Sequence, residues 1–247
     1  MTRAANKSND GPGRTAAEIR SMLRSKGSTA HAKGVQWFFK EEIKSHGWYT
    51  GNLRKAARQL RRAILKERGL AFLLKVADKL FAGRFLEEKV FAVFLLEDMT
   101  GEFGEPEFRL FESWLTRVSS WADHDALVHD LISPMVVSER RRAARVFRWA
   151  NSENRWHRRA ACVALIRGTR QKMFALEIRR LTELLLADED DMVQKGLGWL
   201  LRETAKHDPE RTAAYLMKIR TRLPRLVLRT ACETLPTRRR QILAKLS

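Results

Sequence analysis

The chain has 247 residues, 44% of them hydrophobic, and 48 Lys+Arg against 29 Asp+Glu give a formal net charge of +19. That is enough chain for a real core, and seven Trp exclude wholesale disorder. No apolar run reaches the roughly 18 residues of a membrane span. The N-terminus has no apolar signal segment, and two distant cysteines, Cys162 and Cys232, offer neither a disulfide framework nor a CxxC metal site. The expectation is a folded, cytoplasmic protein whose basic charge meets a polyanion, nucleic acid first, with no membrane, no metal and no cofactor.

Residues 1–14 are polar, contain GPG, and predict a disordered leader ahead of a single domain over 15–247. From there nearly every stretch reads at helical period. LRKAARQLRRAIL (53–65) puts Leu53, Ala56, Ala57, Leu60 and Ile64 on one stripe. FLEEKVFAVFLLEDM (85–99) is apolar almost all round, as for a helix packed between neighbours. EPEFRLFESWLTRV (105–118) opens on Pro106, with Glu105 and Glu107 at the positive end of the helix dipole. Ser138 is the expected N-cap of SERRRAARVFRWA and Ser152 that of SENRWHRRAACVALIRG, which stops near Gly168. Asp208-Pro209-Glu210 starts another helix, and Pro224 and Pro236 start two short ones. Gly196 and Gly198 lie inside a helical pattern, where they serve close packing rather than phosphate binding. No segment of useful length alternates at period two, so the class is all-α.

Comparable features recur every 35–40 residues or so, the length of one HEAT-type helical pair. Trp121, Arg159 and Trp199 fall at similar places in successive units. The predicted architecture is an α-α superhelix of such repeats, a curved solenoid with a basic concave groove; an irregular helical bundle fits the same periodicities. Charge follows its own pattern. Residues 1–85 are net +13, 86–136 net −8, 137–170 net +8, 171–217 net −2 and 218–247 net +8. The basic blocks read as rims around an acidic stretch.

No GxxxxGK[ST], HExxH or GxSxG motif is present. His124 and His129 are five apart, poorly placed as a metal pair, and read as surface or capping residues. In SSWADHDALVHD (119–130), Trp121 and Asp125 are i and i+4, so an indole and a carboxylate share one helix face. On spacing alone, a core Trp and a dipole-offsetting Asp are the better explanation of the pair. The same holds for Trp199 and for Arg159.

RWANSENRWHRRAACVALI (148–166) and QKMFALEIRRLTELLLADEDDMVQKGLGWLLRETAKHDPERTAAYL (171–216) resemble the AlkD family of bacterial HEAT-like-repeat DNA glycosylases. SSWADHD, and GWYTGNLRKAARQL (47–60) with its Gly-led loop, are similar to further parts of that family. The resemblance implies a monofunctional DNA glycosylase of base excision repair, a monomer acting on double-stranded DNA in the bacterial cytoplasm. It would release cationic alkylated purines, of the 3-methyladenine and 7-methylguanine class, without flipping the base. Carried over by position, Trp121 and Trp199 match the groove tryptophans, Asp125 the catalytic carboxylate and Arg159 the arginine that holds DNA backbone. Arg155, Arg158, Arg148, Lys33, Arg54 and Arg58 are the further expected phosphate contacts. Where the family often has two adjacent tryptophans, the first position here is Ser120, and Asp123 rivals Asp125 as the carboxylate. The acidic stretch would supply negative potential to a cationic transition state. The alternative is a HEAT-like DNA- or RNA-binding protein without catalysis.

Overall fold

The computed structural model describes residues 11–244, and every regular element among them is helical. Residues 1–10 of the expected leader lie outside that range. The last residues of that leader are helical: α1 (Pro12–Ser25) starts inside it, with Gly11 extended at the N-cap and Pro12 in the first turn. Proline fits there at no hydrogen-bond cost, and the buried stripe Ala16, Ile19, Leu23 holds the helix down.

The chain divides into two compact units, one ending at Thr100 and the other beginning at Gly101. The first contains α1, α2 (Thr29–Gln36), α3 (Thr50–Phe81) and α4 (Leu86–Phe94). Helix α3 is interrupted at Gly69, whose φ of 75° and ψ of 177° belong to a region that only glycine occupies readily. Leu73, Val76, Leu80 and Phe81 of its second half are buried, as are Phe91, Val93 and Phe94 of α4. The buried Glu87 organises the preceding loop. Its carboxylate accepts the Ser45 hydroxyl (2.6 Å) and the backbone N–H groups of His46 (2.8 Å), Gly47 (2.9 Å) and Trp48 (3.2 Å). Gly47 of the Gly-led loop sits at φ 78°, and a Cβ there would lie 1.9 Å from the Ser28 carbonyl oxygen.

The second unit runs through α5 (Glu105–Trp114), α6 (Trp121–Asp125), a π-helical segment (Ala126–Ile132) and α7 (Ser133–Ser138). It continues with α8 (Arg142–Arg148), α9 (Arg155–Val163), α10 (Ile166–Thr169), α11 (Ala175–Leu184), α12 (Asp191–His207), α13 (Pro209–Ile219), α14 (Arg225–Ala231) and α15 (Pro236–Leu243). Helices α6, α9, α12 and α14 pack side by side in one layer, while α8 and α11 pack together and against α9 from a second. The proline-started helices form where expected. The two serine caps do not. Ser138 ends α7, its hydroxyl bonded to the Met135 carbonyl, and α9 is capped by Asn154, whose side chain accepts the Trp156 N–H at 2.8 Å. Ser152 is one step removed, accepting the Asn154 N–H at 3.2 Å.

The two helix glycines of α12 carry out the packing role expected of them. A Cβ on Gly196 would stand 3.1 Å from Arg159 Cγ, and one on Gly198 would stand 2.8 Å from Thr230 Cβ of α14. Replacing Gly198 by Ala therefore sets a clash with the Thr230 side chain of about 1–3 kcal/mol against a helix-propensity gain of about 1 kcal/mol. The expected net loss of about 0–2 kcal/mol lowers the melting temperature by up to about 8 °C. Gly34→Ala in α2, where an added Cβ meets nothing within 4 Å, should not lower it in the same thermal melts.

Candidate active site

Helix α6 opens with a reciprocal cap. The carboxylate of Asp123 accepts the Ser120 N–H (2.7 Å) and hydroxyl on Oδ1, and the Ser119 N–H (2.9 Å) and hydroxyl (3.2 Å) on Oδ2. Asp123 is fully buried and committed to starting the helix. Two residues on, Asp125 points elsewhere. Its Oδ1 accepts Arg159 Nε at 3.0 Å and its Oδ2 accepts Arg159 Nη2 at 2.7 Å, a bidentate pair between α6 and α9. Arg159, only 5% exposed, also donates Nη1 to the Met192 carbonyl at the start of α12 (2.6 Å).

The histidine between the two aspartates is part of this cluster. His124 has no exposed surface; its Nδ1 is 2.7 Å from Asp125 Oδ1 and its Nε2 is 3.0 Å from the Trp156 carbonyl oxygen. His124 is therefore not the surface or capping residue expected from its spacing. Burial by itself raises the Asp125 carboxyl, but the His124 hydrogen bond and the Arg159 charge outweigh it and hold the pKa at about 2.

Along the same segment, Trp121 and Asp125 are both half-buried, as their i, i+4 spacing allows. His129, four residues beyond Asp125 in the π-helical segment, stacks on Trp199 of α12 with ring centroids 5.7 Å apart. Its Nδ1 lies 2.8 Å from Asp130, and Arg167 bonds both the His129 carbonyl (2.7 Å) and Asp130 (3.3 Å). One segment thus carries Trp121, Asp125 and the partner of Trp199, and Arg159 ties it to α9 and α12. Neither histidine had a spacing signal; the adjacency of His124 to Asp125 was the only hint.

The expected phosphate contacts divide into two kinds. Arg158 is bound to Asp188 (2.6 Å) and to the Ser152 and Glu153 carbonyls, and Arg155 lies 3.6 Å from Asp190 and over the Trp156 ring. In the first unit, Arg54 pairs with Glu97 (3.0 Å) and Arg58 with Asp98 (3.4 Å). Lys33 on α2 and Arg148 at the end of α8 are exposed and make no ion pair within the described residues. The acidic stretch 86–136 is likewise not an unpaired patch. Glu97 and Asp98 face Arg54, Arg58 and Arg61, Glu105 and Glu112 face Arg145, and Asp125 and Asp130 face Arg159 and Arg167. These six carboxylates of the stretch are paired with arginines from outside it.

No three His, Cys, Asp or Glu side chains among the described residues come together as a metal site. Nor is any helix among them long and apolar enough to cross a membrane.

A family model described as DNA alkylation repair enzyme matches residues 19–235, across both units. Among solved structures, the chain is similar to a predicted DNA alkylation repair enzyme from Enterococcus faecalis, at 17% identity and a TM-score of 0.77, over 85% of this chain and 97% of that one. It is also similar to AlkD2 from Streptococcus mutans, at 17% identity and a TM-score of 0.59, over 88% and 98%. These likenesses establish a shared all-α helical-repeat fold. No match was found among curated proteins.

The Asp125 cluster has a consequence for stability. The folded pKa of about 2 lies below the ordinary 3.8, so the group stabilises the fold above about pH 4 and loses that contribution as the pH falls toward 2. The shift corresponds to about 2 kcal/mol. Asp125→Asn should lower the melting temperature at pH 7, where it strands Arg159, and the gap to the wild type should narrow when melts are repeated at pH 3.

Proposed function

Because the chain belongs to the DNA alkylation repair enzyme family, we propose that it is a monofunctional DNA glycosylase acting on cationic alkylated purines, the 3-methyladenine and 7-methylguanine class. The observation that carries this reading is Asp125, a half-buried carboxylate kept ionised by Arg159 and His124 on the helix that also bears Trp121.

An N3- or N7-alkylated purine carries a positive charge and leaves as a neutral base. The glycosidic electron pair goes to the purine, C1′ of the deoxyribose takes on oxocarbenium character, and water adds there to leave an abasic site. A fixed negative charge beside C1′ stabilises that transition state. A carboxyl with a pKa of about 2 is a poor proton acceptor at neutral pH. Its contribution in this reading is therefore electrostatic and orienting rather than general-base catalysis. Trp121 and Trp199 offer indole faces, whose negative quadrupole suits polarised C–H groups and a cationic lesion. The lesion need not enter a pocket; the duplex is gripped by its backbone and the base stays unflipped. The substrate is double-stranded DNA and the enzyme a cytoplasmic monomer.

Incubation with randomly methylated duplex should release methylpurines. Asp125→Asn should slow release by about 10²-fold or more. Asp123→Asn should retain release per folded molecule while losing about 0.5–2 kcal/mol of stability, the value of a helix cap. No release by the wild type, together with tight binding of undamaged duplex, would overturn the enzyme reading in favour of a non-catalytic DNA- or RNA-binding protein. Release lost in Asp123→Asn but kept in Asp125→Asn would overturn the carboxylate assignment.

Phosphate contacts are expected to follow the division among the basic residues. Arg148→Ala or Lys33→Ala should each lower the salt slope of duplex binding by about one without affecting stability. Arg158→Ala, which strands the largely buried Asp188, should instead lower the melting temperature.

A further inference from the structure

We propose that His124 is a positioning residue, protonated on both ring nitrogens, which pins Oδ1 of Asp125 and leaves Oδ2 as the oxygen presented to the reacting sugar. The role of Asp125 in this proposal rests on the glycosylase reading; the protonation state of His124 does not.

Each ring nitrogen of His124 faces an oxygen acceptor. The Trp156 carbonyl only accepts, so Nε2 at 3.0 Å from it carries a hydrogen. Asp125, with its pKa at about 2, is ionised at neutral pH and also only accepts, so Nδ1 at 2.7 Å from Oδ1 carries the second. A ring bonded in this way is an imidazolium. Its charge is fully buried and is tolerated there because the partner carboxylate is in contact with it.

The same bonds distinguish the two oxygens of Asp125. Oδ1 takes two donors, His124 Nδ1 and Arg159 Nε, whereas Oδ2 takes Arg159 Nη2 alone among these groups. With about two lone-pair sites on each oxygen, Oδ1 is filled and Oδ2 has room for water or for a polarised sugar C–H.

Asp125 is on the same helix as His124, and Asp123, also on that helix, is turned to Ser119 and Ser120. From α9 come Arg159 and His157. Burial is the main cause that pushes His157 down, followed by the pull of Glu112 on α5 in the other direction and then by the repulsion of the His124 charge. Loss of one proton from His124 would set a ring lone pair against an acceptor at 2.7 or 3.0 Å, so one of the two bonds breaks and Oδ1 is released.

Two measurements test this. In ¹⁵N NMR of the wild-type protein at pH 7, with the His124 signals assigned by their loss in His124→Asn, both ring nitrogens should show imidazolium shifts. A single protonated nitrogen overturns the proposal, whether or not the protein is an enzyme. In single-turnover release of 7-methylguanine at pH 7, His124→Asn, which can offer Asp125 an amide N–H, should stay within about tenfold of the wild-type rate. His124→Leu should be slower by about 10²-fold, the scale for a misplaced group, with duplex affinity retained. A His124→Leu rate equal to that of the wild type overturns the positioning role. Absence of any release by the wild type overturns the glycosylase reading and with it the role of Oδ2, while the NMR result still decides the imidazolium.

Discussion

The second unit is organised around one guanidinium. Arg159 spends two N–H groups on Asp125 and a third on the Met192 carbonyl, so a single buried side chain joins α6, α9 and the first turn of α12. Breaking such a pair by removing one partner costs about 3–5 kcal/mol, because the other charge is left buried and alone. The rest of the neighbourhood accommodates it. Gly196 leaves room for Arg159 Cγ, Gly198 lets α14 come close, and Trp199, the next residue of the same GLGW run, reaches His129. A sequence feature that resembles a phosphate-binding glycine pair is in fact the clearance needed by one arginine and one neighbouring helix.

The same kind of link recurs at one-repeat separations. Arg145 reaches Glu112 across 33 residues, Arg158 reaches Asp188 across 30, Arg167 reaches Asp130 across 37, Arg202 reaches Glu233 across 31 and Arg222 reaches Glu183 across 39. Where such a pair is exposed it contributes little, about 0–1 kcal/mol, whereas the Arg158 pair, with Asp188 largely buried, is costly to break; each one links neighbouring repeats. They also change what the net charge of +19 means. Much of the arginine in the basic blocks is already answered by carboxylates one repeat away, and the acidic stretch is where many of those carboxylates come from. Net charge by segment counts residues; it does not count which of them remain available to a phosphate.

Helical period, proline-started helices and the packing role of the two α12 glycines were legible in the sequence because each depends on local geometry. The Trp121–Asp125 spacing was legible for the same reason. Resemblance to a family, rather than spacing, was what singled out Trp199 and Arg159. The caps at Ser138 and Ser152 were misread because several polar residues compete near each helix start, and tertiary packing selects among them; α9 begins at Asn154 because its side chain reaches the Trp156 N–H. The role of His124 was hidden for a different reason. Adjacent residues on a helix ordinarily diverge, and only the approach of Arg159 and the Trp156 carbonyl from α9 turns His124 and Asp125 into one cluster.

The π-helical segment after Asp125 has a consequence for how this surface can change over time. A wider turn takes up an extra residue, and each residue in an ordinary helix corresponds to about 100° of rotation. The phase of everything downstream of Ala126 is therefore offset from that of Trp121 and Asp125. The carboxylate end and the His129–Trp199 end are two dials on one shaft, set apart by the wider turns between them. A single-residue insertion or deletion within Ala126–Ile132 would turn the aromatic end to a new bearing and leave the Arg159-locked carboxylate where it is. Descendants of such a chain can explore what flanks the reacting atom without having to rebuild the charge that acts on it.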